Sequence, residues 1–187
     1  MTIILGIDPG LNTTGYGVIG TASGKVRLLE AGIVRSRSNI LAVKIREIYD
    51  GVLDVIRSFH PNEMAVEELY SHYRRPRTSI LMGHARGAIF LAASQSNITV
   101  YTYAATKVKK ILTGAGHAKK DQIQRAIQQE LELSHYPEPP DVADALAIAL
   151  CHHYHGKIGC KERITCPPLP VKILGIDSHF PDSARRV

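Results

Sequence analysis

The chain has 187 residues, 44% hydrophobic and 21% charged, which is enough for one domain with a sizeable core and ordinary for a soluble globular protein. No apolar run reaches the ~20 residues a membrane helix needs, the N-terminus lacks a signal-type core, and three cysteines without paired spacing argue against a disulfide framework and for a reducing cytoplasm. Lysine and arginine total 23 against 17 acids, a net charge of +6, so a polyanion, nucleic acid first, is the favoured partner, with plain solubility as the alternative reading and no membrane partner expected.

In chain order, Ile3 to Asp8 is apolar and β-branched, and the turn Pro9-Gly10-Leu11-Asn12 follows. Tyr16 to Ile19 resumes the strand pattern, and Val26 to Ser36 alternates loosely after the Ser23-Gly24 turn, which predicts a three-stranded meander. Leu41, Ile45, Ile48, Val52, Val55 and Phe59 then recur at helical spacing until His60-Pro61-Asn62 stops the helix. Glu63 to Leu69 reads as a short strand finishing in Glu67 and Glu68, before a basic loop, "SHYRRPRT", and an apolar helix from Ser79 to Ser94. Thr99 to Tyr103 is a strand; two lysine-rich helical stretches, Ala104 to Leu112 and Lys119 to Leu131, flank "TGAGH". The loop "YPEPP" leads into a helix from Asp141. This order predicts an α/β fold, a mixed five-stranded sheet with helices on both faces. Residues 1–156 are expected to form the domain and 157–187 a basic, proline-containing tail. "ILGID" at 4–8 returns at 173–177 without its neighbourhood, so Asp177 is given no role.

Two strands end in acids, Asp8 and Glu67, and neighbouring strand ends at one edge of an open sheet are where ligands bind. Asp141 and Asp144 share one face of a first helical turn. Each has a plain structural explanation: Asp141 as an N-cap with Asp144 aiding the helix dipole, Asp8 in an Asx-turn, Glu67 as a solvated loop acid. In combination they are harder to explain that way. Four carboxylates in one cleft repel unless divalent cations neutralise them, and hard oxygen ligands select Mg²⁺ or Mn²⁺. Two such ions ~4 Å apart form the clamp used for in-line phosphodiester displacement.

Five stretches, "ILGIDPG…TGYGVI" (4–19), "AVEELY" (65–70), "LMGHARG" (81–87), "YAATKVKK…GAGHAKKDQI" (103–123) and "DVADALAIAL" (141–150), occur in the order of one family. The chain resembles the RuvC family of bacterial Holliday-junction endonucleases, which have a ribonuclease H-like fold. The resemblance implies a nuclease of DNA recombination and repair that resolves four-way junctions by paired symmetric nicks, leaving 5′-phosphate and 3′-hydroxyl ends. It implies catalytic, metal-binding acids at Asp8, Glu67, Asp141 and Asp144, with two Mg²⁺ per site (Mn²⁺ able to substitute) and Asp8 bridging them. DNA-contacting lysines are implied at Lys109, for the backbone, and Lys120, for the scissile phosphate. A homodimer is implied too, with the branch-migration proteins RuvA and RuvB as partners. The family usually has Phe where this chain has Tyr70, a ring thought to stack on a base at the junction centre, and Tyr keeps that ring. The neighbouring Arg74, Arg75 and Arg77 are expected to contact DNA. Glu68 is not carried over, because the family has no acid there.

"GIDPGLNTTGYGVI" also resembles the first phosphate loop of actin-like and sugar-kinase ATPases, but those need two such domains and a second Gly-rich loop. "CHHYH" with Cys160 and Cys166 matches no common zinc module. A non-catalytic DNA-binding domain would tolerate loss of the acids, yet all four are present. In the 79–94 helix Arg86 alone is charged at neutral pH, while Ile80, Leu81, Met82, Ile89, Phe90 and Leu91 exceed the stripe one core buries. Small residues at Gly83, Ala85, Gly87 and Ala88 would let a second copy approach, which makes this helix the expected two-fold interface; a helix enclosed in its own domain is the alternative.

Overall fold

The computed structural model describes residues 1–69, 76–156 and 163–164. β1 (Thr2–Asp8), β2 (Thr13–Ala22) and β3 (Lys25–Arg35) form the antiparallel meander. α1 (Leu41–Phe59) crosses to β4 (Glu63–Glu67), parallel to β1, and α2 (Pro76–Gln95) crosses to β5 (Thr99–Tyr103), parallel to β4. α3 (Ala105–Thr113), α4 (Lys120–Glu130) and α5 (Pro140–Gly156) follow. The sheet order is β3-β2-β1-β4-β5-β6. The five predicted strands are present, and a sixth, β6 (Arg163–Ile164), pairs antiparallel with the edge of β5 from within the segment read as a tail. No helix among the described residues is long and apolar enough to cross a membrane.

Strand alternation sorts the side chains into two cores. Leu5, Ile7, Val18, Met64, Val66 and Val100 pack under α1 and α2. Ile4, Ile19, Ala65, Tyr101 and Tyr103 pack under α5, with α3 and α4 beside it. By the same alternation Asp8 follows Ile4, and Glu67 follows Ala65, so both carboxylates emerge on the α5 side at the C-terminal rim of parallel neighbours.

α5 is apolar all round and is the enclosed helix: Val142, Ala143 and every residue from Ala145 to Cys151 are buried. It lies directly on the sheet backbone. A Cβ at Gly6 would stand 2.2 Å from the Ala145 carbonyl oxygen, so β1 needs glycine there. Its height along the strands is fixed further on by buried polar contacts. The Tyr103 hydroxyl and His152 Nδ1 are 2.6 Å apart, His152 Nε2 and Glu63 Oε2 are 2.9 Å apart, and Tyr103 and His152 are 1% and 3% exposed. This network ties α5 to β4 and β5, and it is satisfied in an interior where an unmade bond would cost about 1–3 kcal/mol.

α2 is different. It buries Ala85, Ala88, Ile89, Ala92 and Ala93 against the sheet and leaves Ile80 61% and Leu91 52% exposed. The enclosed alternative for this helix therefore does not hold within one copy of the chain.

Candidate active site

β1 delivers Asp8 and β4 delivers Glu67. The parallel register pairs Ile7 with Val66, so the two acids that follow stand side by side. Across the other edge of β1, Asp8 pairs with Gly15 of β2. α5 starts above this point. Its first turn carries Asp141 and Asp144, and the Asp141 main chain rests on Gly15, where a Cβ would come within 2.0 Å of the Asp141 carbonyl oxygen.

Electrostatics shows how closely the four acids converge. Burial, then the charges of Glu67 and Asp144, a hydrogen bond with Glu67, and the charge of Asp141 push the Asp8 carboxyl up to about 8. Glu67 is raised chiefly by burial and further by Asp144, against the opposing pull of the Asp8 hydrogen bond and Lys109. Burial also raises Asp144, with Asp141 adding to it and Lys120 and Lys109 opposing. The two lysines that the sequence singled out therefore share the field of the acids. A cavity of about 260 Å³ is lined by Glu67, Asp144, Lys109 and Lys120, with Val108 and Ile148 in its wall. Lys109 is carried by α3, and Lys120 opens α4, where the Lys119 N–H donates to Gln122 Oε1 at 2.8 Å.

The donor set fits hard divalent cations. Its carboxylates are crowded enough that Asp8 and Glu67 hydrogen-bond to each other, which is the charge excess a cation would relieve. Among the described residues no three acidic, histidine or cysteine side chains close around one point tightly enough to hold an ion unaided.

Other predicted residues fall elsewhere. Arg77 is exposed in the first turn of α2 and does not line the acid cavity. Tyr70, Arg74 and Arg75 lie outside the described residues, as do Cys160, Cys166 and the second "ILGID". Glu68 alternates to the α2 side, where Thr102 Oγ1 donates to its carboxylate at 3.3 Å, so it is not part of the cluster. Gly15, which seats the Asp141 main chain, is the position beside the acids that the motifs did not single out. Its signal is the run of glycines at 6, 10, 15 and 17 around the first turn.

A pH effect follows from Asp8. Its affinity for a proton is higher in the folded chain than in the unfolded one, so its stabilising contribution is full below the ordinary carboxylate range and is lost as pH rises through about 8. In EDTA the melting temperature should fall between about pH 5 and pH 9, and Mg²⁺ should raise it more at the upper end, where no proton competes for the site. Thermal melts of the wild type and Asp8→Asn check this. Equal pH slopes for the two would contradict the assignment.

The family described as "Crossover junction endodeoxyribonuclease RuvC" matches residues 4–152. A protein of that name from Rhodopirellula baltica is 54% identical over 152 residues, covering 81% of this chain and 85% of that protein. One from Tolumonas auensis is 43% identical over 154 residues, covering 82% and 88%. The Thermus thermophilus RuvC structure superposes with a TM-score of 0.79 at 34% identity, over 87% of this chain and all of that one. The same protein in complex with a Holliday junction substrate gives 0.82 at 34% identity over 88% of this chain and all of that one. The yeast mitochondrial Holliday junction resolvase Ydc2, at 11% identity and a TM-score of 0.54, shares the fold. With four acids at one sheet rim, two lysines beside them and a match over most of its length, this chain belongs to the RuvC family of crossover junction endodeoxyribonucleases.

Proposed function

We propose that this protein resolves four-way DNA junctions in recombination and repair by paired, symmetric nicks. The convergence of Asp8, Glu67, Asp141 and Asp144 between two parallel strand ends and a helix start, with Lys109 and Lys120 alongside, carries this reading. The likeness to a Thermus thermophilus RuvC bound to a Holliday junction substrate supports the choice of DNA structure.

The four acids would hold two Mg²⁺, or Mn²⁺ in their place. When bound, the ions supply an activated water and stabilise the leaving 3′ oxygen, so the products are a 5′-phosphate and a 3′-hydroxyl. The protein's own part is to orient and to balance charge. Lys120 faces Asp144 electrostatically and is suited to the scissile phosphate; Lys109 couples to both Glu67 and Asp144 and is suited to the flanking backbone. Bound cations would favour the ionised form of Asp8, against the burial and neighbouring acids that raise its carboxyl. Tyr70 would stack on a base at the exchange point, with Arg74, Arg75 and Arg77 contacting the adjacent strand.

Two matched nicks call for two sites related by a two-fold axis. The exposed Ile80 and Leu91, and the open space above Gly83 and Gly87, support a homodimer through α2. Ala42, Ile45 and Tyr49 of α1 border the same apolar groove. RuvA and RuvB are the proposed partners, and the cytoplasm the proposed location.

Cleavage of an end-labelled four-way junction, compared with a duplex of the same sequence during Mg²⁺ titration, tests the reading. The expected result is a pair of symmetric nicks that ligase reseals, from a protein that sediments as a dimer. Equal cleavage of the plain duplex, or no cleavage in either Mg²⁺ or Mn²⁺, would overturn it.

A further inference from the structure

We propose that Arg35, Arg37 and Lys44 form a second phosphate-binding arm, on the opposite flank of the acids from Lys109 and Lys120, which grips the DNA backbone leaving the exchange point. The proposal rests on the junction-nuclease reading above.

Strand register places this arm. Asp8 pairs with Gly15, Gly15 pairs with Ile33, and Thr13 pairs with Arg35. Alternation therefore puts Arg35 on the same sheet face as Asp8, two strands over and two residue pairs further toward the rim. Two strand spacings of roughly 10 Å in all, with two residue rises of roughly 7 Å, put the two positions roughly 12 Å apart, about three to four nucleotide rises along one DNA strand.

The rest of the arm is fastened to the turn that follows Asp8. The Ser36 N–H donates to the Asn12 carbonyl at 3.0 Å, and its hydroxyl donates to the Leu11 carbonyl at 2.5 Å. The Lys44 ammonium donates to the side-chain oxygen of Asn12. The Arg37 N–H donates to Glu47 Oε2 at 3.0 Å, which fixes its backbone while leaving the side chain exposed.

These cations are not neutralised by neighbours. Among the described residues the side-chain ion pairs are Arg57 with Asp54 and His152 with Glu63, so no guanidinium or ammonium nitrogen of the three has a carboxylate oxygen within 4.0 Å, and Glu47 meets Arg37 only at its backbone N–H. A guanidinium fork matches phosphate oxygens in pairs. The acid cluster thus sits between two basic flanks, one of lysines from α3 and α4, the other from the β3 end and α1. Arms that diverge from a branch point leave in different directions, and a cleft with one basic flank would hold only one of them.

Salt dependence of binding tests the arm. The full chain is titrated onto a four-way junction in EDTA at several NaCl concentrations, as wild type, as the triple variant Arg35→Gln/Arg37→Gln/Lys44→Gln, and as Lys25→Gln/Arg27→Gln at the far end of β3. Each lost phosphate contact lowers the slope of log K against log [NaCl] by about 0.9, so the triple variant should lose close to three and the far-end control none. Should the triple variant melt early, Arg35→Gln/Arg37→Gln, which changes only exposed side chains, should still lose about two. A slope equal to wild type, or an equal loss in the far-end control, overturns the arm alone, provided the wild type binds and cuts the junction. A wild type that does neither overturns the nuclease reading and the arm together.

Discussion

Replacing Asp8 with Asn should lower junction cleavage by about three orders of magnitude or more while leaving junction binding in EDTA intact or tighter. Asp8 is where the site's field concentrates, since burial and all three other acids act on it and lift its carboxyl to about 8. An amide keeps the shape but removes the charge that would hold two cations together. Metal stabilisation of a phosphoryl transition state amounts to several kcal/mol, and roughly 4 kcal/mol corresponds to about a thousandfold in rate. Binding moves the other way, because one negative charge facing phosphate is gone. The apo protein should also melt no lower than wild type, since the substitution removes a charge that burial, and then repulsion by the other acids, disfavours. Single-turnover cleavage in Mg²⁺ and gel shifts in EDTA measure the two effects separately. Wild-type cleavage by Asp8→Asn would remove Asp8 from the metal site.

That the effect falls on Asp8 was legible in the sequence, because an acid ending an apolar strand has few structural uses. Glu67 was legible for the same reason, Asp141 and Asp144 because they share one face of a first helical turn, and all four through the family motifs. Strand ends were less so. β2 begins at Thr13 and not at Tyr16 because its ladder with β3 runs down to Thr13, two residues past the end of its ladder with β1 at Gly15, where the apolar pattern has already stopped. The fates of two apolar helices were not separable by composition. α5 is enclosed because it lands on a glycine-lined stretch of β1 and β2, while α2 keeps Ile80 and Leu91 outward. Such outcomes depend on which distant surface each helix meets. The same holds for Arg35, which lies far from Asp8 along the chain and is brought near it only by register.

Gly15→Ala should lower cleavage about a hundredfold and raise the Mg²⁺ requirement, with junction affinity in EDTA changed only a few-fold. The added Cβ would meet the Asp141 carbonyl oxygen at 2.0 Å, its carbonyl carbon at 2.5 Å and its Cβ at 3.1 Å. These are mainly backbone atoms of the first helical turn, so no rotamer change relieves the clash, and α5 must lift where it carries Asp141 and Asp144. Asp8, paired with Gly15 across the strands, stays where it is. The acids are thereby pulled apart by about 1 Å, a displacement that can cost about a hundredfold in rate. Gly17→Ala is the matched comparison. Its Cβ would meet the buried Leu146 side chain at 2.6 Å (Cδ2) and 2.9 Å (Cγ) and its backbone only at 3.2 Å (Cα), further along α5 from the acids. That variant should lose some stability yet keep most of its rate and the wild-type Mg²⁺ dependence. Rates are normalised to the fraction of molecules that bind junction in EDTA, so misfolded protein does not count against either variant. If Gly15→Ala, so normalised, cuts at the wild-type rate with wild-type Mg²⁺ dependence, the close seat of α5 on β2 does not position the acids.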